Sequence, residues 1–408
     1  MIVLVVNCGS SSVKYELFDT TTEKSLASGA ADRVGVNGGT QAILQHRPAS
    51  GTAFETQRSM KDHETAMELI LEALCHPEHG VISSLNEIQA VGHRVVHGGE
   101  KFAASMLIDE YVIAGVEEVA ELAPLHNPAN LVGIRACMHA LPGVSQVAVF
   151  DTAFHQTIER RAYLYGLPYE MYEKHGMRRY GFHGTSHRYV SLVAGRLLTE
   201  AGVPADEQCI ITVHLGNGCS MSAVKGGKSV DTTMGLTPLE GLLMGTRCGD
   251  LDPAIVPMLH DKFGMTPAEA DAMLNKECGL LGVSGVSSDM RDLLVAAEEG
   301  NERAAAAIEL FCYRVKKYIG AYSAALGGLH AVVFTAGIGE NSSPIRAKCV
   351  ENMAYLGINI DEDSNNTVTS QPDGVDISRP ETSVRVYVIP TDEELLIARD
   401  TASLVSGD

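Results

Sequence analysis

Apolar residues in this chain gather into short β-branched runs, and each run stops at glycine or at a cluster of small polar residues. Ile2-Val3-Leu4-Val5-Val6 ends at Asn7-Cys8-Gly9-Ser10-Ser11-Ser12, after which Val13-Lys14-Tyr15-Glu16-Leu17-Phe18 resumes close to strict alternation. An unbroken run reads as a buried strand and an alternating one as a half-buried strand, so residues 2–18 predict a β-hairpin with a Gly-Ser tip. Short strands continue to about residue 47, broken near Val36-Asn37-Gly38-Gly39, which predicts an N-terminal meander. Ala66, Leu69, Ile70 and Ala73 recur at helical spacing, predicting a helix over about 62–74 that is finished before Pro77.

Further along, Ile88 to Gly99 reads as a buried strand with a second glycine stop, and it carries Arg94. Leu122-Ala-Pro-Leu-His-Asn-Pro128 is a Pro-bounded turn before a helix from about Ala129, and Val144 to Phe150 is another apolar strand ending at Asp151. A second domain opens at Arg178-Arg-Tyr-Gly-Phe-His-Gly-Thr-Ser-His187, where Thr185 or Ser186 is placed to cap a helix to about Ala201. Cys209 to Val224 then repeats the design of the first hairpin around Gly216-Asn217-Gly218, which suggests a duplicated domain, although strand–turn–strand units are common. Helices are predicted at about 254–263, 267–276, 289–298 and 302–327. Val332-Val-Phe-Thr-Ala-Gly-Ile-Gly-Glu-Asn341 predicts a third strand with a glycine turn, then a helix from Ser342 or Ser343. The last strand, Val384 to Ile389, meets Thr391 as the expected N-cap of a closing helix with Glu393 and Glu394 in its first turn.

Composition narrows the partners. At 408 residues the chain has room for two domains with ample core. Its 51 acidic against 31 basic residues give a formal charge of -20, which argues against nucleic acid or an anionic membrane as a general partner. Any anion bound here must be held by a local cluster of cations or a metal. Nine cysteines without C-x-x-C spacing fit reduced thiols better than a disulfide framework. Residues 2–6 are too short for a signal segment, and no apolar run reaches membrane-spanning length, so a cytoplasmic location is expected.

Candidate chemistry sits at the stops. The first hairpin tip offers backbone N–H groups, hydroxyls and Lys14 to phosphate oxygens, or is an ordinary polar turn; it is not a P-loop. Arg94 needs an anion, whether a core carboxylate or a substrate. Asp151 at a strand's carboxyl end reads equally as a crevice residue or a cap. His126 and His183 stand in turns where either packing or a donor role is open, and a metal reading of His183 with His187 lacks the supporting motif. Arg247, between Gly245 and Asp250, is a candidate phosphate clamp or a surface loop residue. Glu393 reads first as a complement to the helix dipole and second as a group steering Mg²⁺ through water.

Six segments together carry a resemblance along essentially the whole chain: Val-Asn-Cys-Gly-Ser-Ser-Ser-Val-Lys14, Gly92-His-Arg-Val-Val-His-Gly-Gly99, Tyr180-Gly-Phe-His-Gly-Thr-Ser-His187, His214-Leu-Gly-Asn-Gly218, Met244-Gly-Thr-Arg247 and Gly337-Ile-Gly-Glu-Asn341. The chain resembles the acetate kinase family, in the superfamily that also holds sugar kinases, heat-shock chaperone ATPases and actin. The resemblance implies an α/β fold of two duplicated ribonuclease-H-like (actin-like ATPase) domains, 1–152 with 392–408 and 153–391, with a nucleotide cleft between them. It implies reversible Mg²⁺-dependent transfer of the ATP γ-phosphoryl group to acetate, giving acetyl phosphate and ADP by direct in-line transfer. Mn²⁺ is an alternative metal, and a homodimer formed through the second domain is expected.

On the matching positions, Arg94, Arg247, His183, His126 and Asp151 would be catalytic, and Asn7 and Glu393 would position the metal. Ser10, Ser12 and Lys14 would hold ATP phosphates from the first hairpin and Asn217 from the second, where His214, Leu215, Gly216 and Gly218 would also bind ATP. Asp289, Arg291, Gly337, Ile338 and Asn341 would line the nucleoside, Gly339 and Glu340 would also bind ATP, and Met290 would stand near the adenosine where relatives often carry Phe. Arg94, Val96, Leu125, Phe182 and Pro238 would contact acetate. The same chemistry on propionate or butyrate is the near alternative. A chaperone-like or actin-like ATPase is the distant one, disfavoured because the chain ends just after the closing helix and because such a protein has no use for Arg94, His126, His183 and Arg247.

Overall fold

The computed structural model describes residues 1–124 and 126–407. It divides into two compact units, Met1–Phe154 with Asp392–Asp408, and His155–Thr391.

In the first unit, Ile2–Cys8 (β1) and Ser12–Asp19 (β2) form the expected hairpin, with Asn7 opposite Lys14. Lys24–Asp32 (β3), Ala42–Pro48 (β4) and Phe54–Arg58 (β5) extend it as an antiparallel meander. Ala90–Val95 (β6) joins β1 in parallel, Ser145–Phe150 (β8) joins β6 in parallel, and the two-residue strand Met106–Leu107 (β7) closes the edge. The sheet order is β5-β4-β3-β2-β1-β6-β8-β7. Central β1 is buried over most of its length, as a continuous apolar run requires when both sheet faces are covered. The helix His63–Leu74 buries Ala66, Met67, Ile70 and Leu74 in one core with Leu4, Val6 and Leu17, and Asp62 caps it by accepting from Thr65 N at 2.9 Å. The closing helix Glu393–Ser406 lies against β6 at Gly92. A Cβ there would come within 2.4 Å of Thr401 and 2.7 Å of Ile397, so only glycine permits the approach that brings Glu393 to the end of β1.

The second unit repeats this plan. Cys209–Leu215 (β9), Cys219–Lys225 (β10) and Lys228–Thr232 (β11) form the second meander. Ala331–Thr335 (β12) pairs in parallel with β9 and with Arg385–Val388 (β14), and Val375–Asp376 (β13) pairs antiparallel with β14. The order β11-β10-β9-β12-β14-β13 matches β3-β2-β1-β6-β8-β7 strand for strand and in every parallel or antiparallel sense. The duplication suggested by two hairpins therefore extends over six strands of each unit. The long helix Glu302–Leu326 buries Ile308, Phe311, Val315 and Ile319.

Several helix starts differ from the sequence reading. The helix after the turn at residues 122–126 begins at Asn127, not near Ala129. The helix expected to be capped by Thr185 or Ser186 runs Gly184–Glu200, with His183 at the N-cap in the left-handed region at φ 55°. Thr185 and Ser186 instead lie inside its first turn, and both are buried. The closing helix is capped by Asp392, whose carboxylate accepts from Leu395 N at 2.8 Å, not by Thr391. Gly337 and Gly339 do not form an open turn, because Ala336–Asn341 is a short helix directly after β12, made possible by Ala336 at φ 63°. A glycine-containing helix at Gly279–Ser284 was not foreseen.

Candidate functional site

In the first unit the strand ends converge. β6 and β8 run in parallel, so Arg94 near the end of one and Asp151 just past the other are neighbours. Arg94 donates through Nε to Asp151 Oδ1 at 2.9 Å and through Nη2 to Oδ2 at 2.6 Å, a two-pronged contact that fixes the guanidinium plane. Asp151 is 1 % exposed, and its charge, followed by those of Glu393 and Glu394, holds the Arg94 cation above its ordinary range. Of the two anions left open for Arg94, a core carboxylate or a substrate, the carboxylate is present as Asp151.

Arg94 lines a cavity of about 370 Å³ together with Asn7, Lys14, Glu16, Glu393 and Glu394. Glu393 Oε2 is buried and has no hydrogen-bond partner among the described residues. Burial pushes this carboxyl up to about 7, opposed by Arg94 and assisted by Asp151. Burial likewise raises Glu16 to about 7. The metal-free protein holds more protons on Glu393 than the unfolded chain does between roughly pH 4.5 and 7. The sign follows: this group's contribution to stability falls as pH rises through that window. Glu393→Gln is expected to remove that slope and to melt above the parent protein beyond pH 7. Melting curves across pH in the presence of a chelator check this, and an unchanged slope contradicts it.

Ser10 and Ser12 sit at the hairpin tip, which is closed by Gly9 N donating to Ser12 O at 2.8 Å. Val96 is buried, and its N–H donates to Asn130 Oδ1 while Asn130 Nδ2 donates to Cys8 O. Asn130 thereby ties the β6 end to the hairpin, a role the sequence gave no sign of. His126 is exposed at the N-cap of the helix Asn127–Ala140. Leu125 lies outside the described residues. Glu16 was also missed. The alternation of β2 was the available signal, since it puts Glu16 on the same face as Lys14.

In the second unit the turn Gly216-Asn217-Gly218 between β9 and β10 is the focus. A Cβ on Gly218 would lie 3.4 Å from His183 Cε1 and 3.5 Å from Arg247 Nη1, so an imidazole and a guanidinium meet over this turn. Arg247 donates to Pro238 O at 3.0 Å, and burial lowers its pKa. Gly245 packs so closely on Asn217 that a Cβ would fall 2.1 Å from Asn217 Oδ1. The loop carrying Arg247 is therefore seated directly on the turn. His183 stacks on His214 with ring centroids 4.3 Å apart. Phe182 is buried, Leu215 is fully buried at the end of β9, and Asn217 is exposed.

The remaining nucleoside candidates divide. Ile338 is half-buried, while Gly337 and Asn341 are exposed on the short helix. Glu340 Oε1 accepts from Ala336 N at 2.7 Å and Thr391 N at 3.1 Å, which makes it a brace for that segment. Asp289 caps the helix Met290–Glu298 and pairs with Arg291 through two contacts of 3.1 and 2.6 Å. Hydrogen bonds from Arg291 hold the Asp289 carboxyl at about 2. Met290 is buried. Arg346, also buried, donates to the carbonyls of Gly339 and Glu340 at 3.0 and 2.9 Å and was not anticipated.

The Acetokinase family profile matches residues 2–399. The acetate kinase of Halothermothrix orenii is 54 % identical over 407 residues, covering all of both chains. The crystal structure of Porphyromonas gingivalis acetate kinase is similar with a TM-score of 0.94 and 48 % identity, covering 99 % of each chain. A propionate kinase from Francisella tularensis is similar with a TM-score of 0.89 and 41 % identity, covering 98 % of this chain and 99 % of that one.

Proposed function

Because the chain belongs to the acetokinase family, we propose that it transfers the γ-phosphoryl group of ATP reversibly to acetate, giving acetyl phosphate and ADP. The observation that carries the reading is Arg94, a cation locked by a buried carboxylate at the rim of a cavity whose remaining charged groups are mostly acidic. Such a fixed cation suits an anionic substrate that the protein's overall charge would otherwise repel.

Acetate is already an anion near neutral pH, so the nucleophile needs no base. An acetate oxygen attacks the γ-phosphorus, the bond to the β-bridging oxygen breaks, and ADP leaves. Catalysis then consists of alignment and charge neutralisation. Arg94, already oriented by Asp151, holds the carboxylate. Arg247 takes two phosphoryl oxygens in the planar fork that lysine lacks. His183 donates to the equatorial oxygens, and His126 helps to orient them. Ser10, Ser12, Lys14 and Asn217 hold the phosphates, and Gly337, Ile338 and Asn341 the nucleoside. Val96, Leu125, Phe182 and Pro238 contact the methyl group.

Glu393, with its buried unpartnered oxygen, and Asn7 in the same cavity are hard oxygen donors that fit Mg²⁺, with Mn²⁺ as the alternative. Bound there with the nucleotide, the ion supplies neutralisation of phosphate charge.

The test is acyl-phosphate formation from ATP, trapped with hydroxylamine, across formate, acetate, propionate and butyrate. The highest kcat/KM is expected with acetate. A propionate optimum would change the substrate but not the chemistry, since one methylene is worth only ~1–3 kcal/mol. No product with any carboxylate would overturn the reading.

A homodimer is also proposed. The helix Ile255–Phe263 exposes Ile255, Val256, Met258 and Phe263, the last 71 % exposed, while burying only Leu259. An apolar face of this kind is expected to be covered by a second copy of the chain. Phe263→Glu should halve the mass measured by light scattering. A parent protein that is already monomeric would contradict the proposal.

A further inference from the structure

Two histidines of the second unit are built on one plan. His183 and His214 stack with their planes 21° apart, and the Nδ1 of each meets a serine hydroxyl. Ser220 Oγ lies 2.9 Å from His183 Nδ1, and Ser186 Oγ lies 2.8 Å from His214 Nδ1. Ser186 accepts from Thr391 Oγ1 at 2.8 Å, so its single proton goes to His214 Nδ1 and that ring carries its own proton on Nε2.

Behind His183 the chain of contacts is longer. Ser220 Oγ is also 2.7 Å from His187 Nε2, and His187 Nδ1 is 2.7 Å from Thr212 Oγ1. His187 is fully buried, and burial, with His155 and His214 nearby, keeps it well below the ordinary histidine range. It is therefore neutral and carries one ring proton. The other contact of Thr212, to Ser222 O, is 3.4 Å long, at the outer limit for a hydroxyl donor. The Thr212 proton is better placed on His187 Nδ1. Direction then propagates: His187 Nε2–H donates to Ser220, and Ser220 O–H donates to His183 Nδ1.

We propose that Ser220, His187 and Thr212 are positioning residues that hold His183 in its neutral Nε2–H form. With His214, whose Nε2 proton Ser186 fixes, the site presents two stacked neutral donors to phosphoryl oxygens. The phosphoryl ligand rests on the function proposed above; the tautomers do not. Electrostatics favours this arrangement. Two imidazolium rings stacked 4.3 Å apart would repel each other, and Arg247 already brings a cation to the same turn. Described titratable and charged groups facing His183 within this unit are His214 on β9, His187 on its own helix and Arg247. His155 stands behind His187, with ring centroids 5.7 Å apart.

The test combines a spectrum with a pH profile. In ¹⁵N-histidine-labelled protein without ligands, near pH 8, His183 and His214 should both show a protonated Nε2 and an unprotonated Nδ1. The kcat of the parent enzyme should stay level above the ordinary imidazole range. In Ser220→Ala the donor to Nδ1 is gone and an Nε2 proton is guaranteed only in the imidazolium. Its kcat should then fall as pH rises through the imidazole range and level off below the parent's, at the fraction of neutral rings that keep the Nε2 proton. Ser220→Thr retains the hydroxyl and should restore the level profile. An unprotonated Nε2 on His183 in the parent protein, or a Ser220→Ala profile parallel to the parent's, would overturn the proposal. A protein inactive on every carboxylate would refute the proposed function alone, because the spectrum still reports the tautomers.

Discussion

Replacing Arg94 with alanine is expected to lower kcat by about 10³-fold or more, the scale on which an arginine stabilises phosphoryl transfer. The same substitution should also destabilise the fold, because Asp151 is almost wholly buried and loses both of its contacts. Breaking a buried pair from one side costs about 3–5 kcal/mol, as a charge is left without compensation. Two measurements separate the effects: turnover of the folded fraction, and the midpoint of denaturant unfolding. Arg94→Ala combined with Asp151→Ala should recover stability without recovering turnover. Near-normal kcat in folded Arg94→Ala would remove this residue from the chemistry.

Arg247→Ala should lose turnover on a similar scale, about 10³-fold or more, with little loss of stability. Among the described residues Arg247 pairs with no carboxylate, and it donates to the Pro238 carbonyl and the Met244 sulfur. Removing one hydrogen bond of that kind costs ~1 kcal/mol. Arg247→Lys should not rescue, because a point charge cannot span two phosphoryl oxygens at once. A variant as unstable as Arg94→Ala would assign Arg247 to structure. One with ordinary kcat would assign it to neither.

The strand framework was legible because the apolar runs of β1, β6, β8, β9 and β12 stop at glycine or small polar residues, and the stops carry the chemistry. The need of Arg94 for an anion could be argued from burial alone, although its identity required the parallel register of β6 and β8. What could not be read was set by contacts distant in sequence. Glycine at position 92 looks like any strand glycine until the closing helix is seen against it. His183 at its left-handed N-cap overrode the local capping preference of Thr185 and Ser186, which are buried in the first turn. That Glu340 also braces its segment, through Ala336 N and the distant Thr391 N, could not be read from its glycine-rich surroundings. The hydroxyls of Ser220 and Thr212 are ordinary strand positions in sequence, and only the sheet brings them to His187.

Stereochemistry at phosphorus tests direct transfer to the carboxylate most directly. With ATP made chiral at the γ-phosphorus by oxygen isotopes, acetyl phosphate should form with inversion of configuration, as one in-line displacement requires. Retention would mean two displacements through a phosphorylated group on the protein, and would contradict direct transfer to the carboxylate.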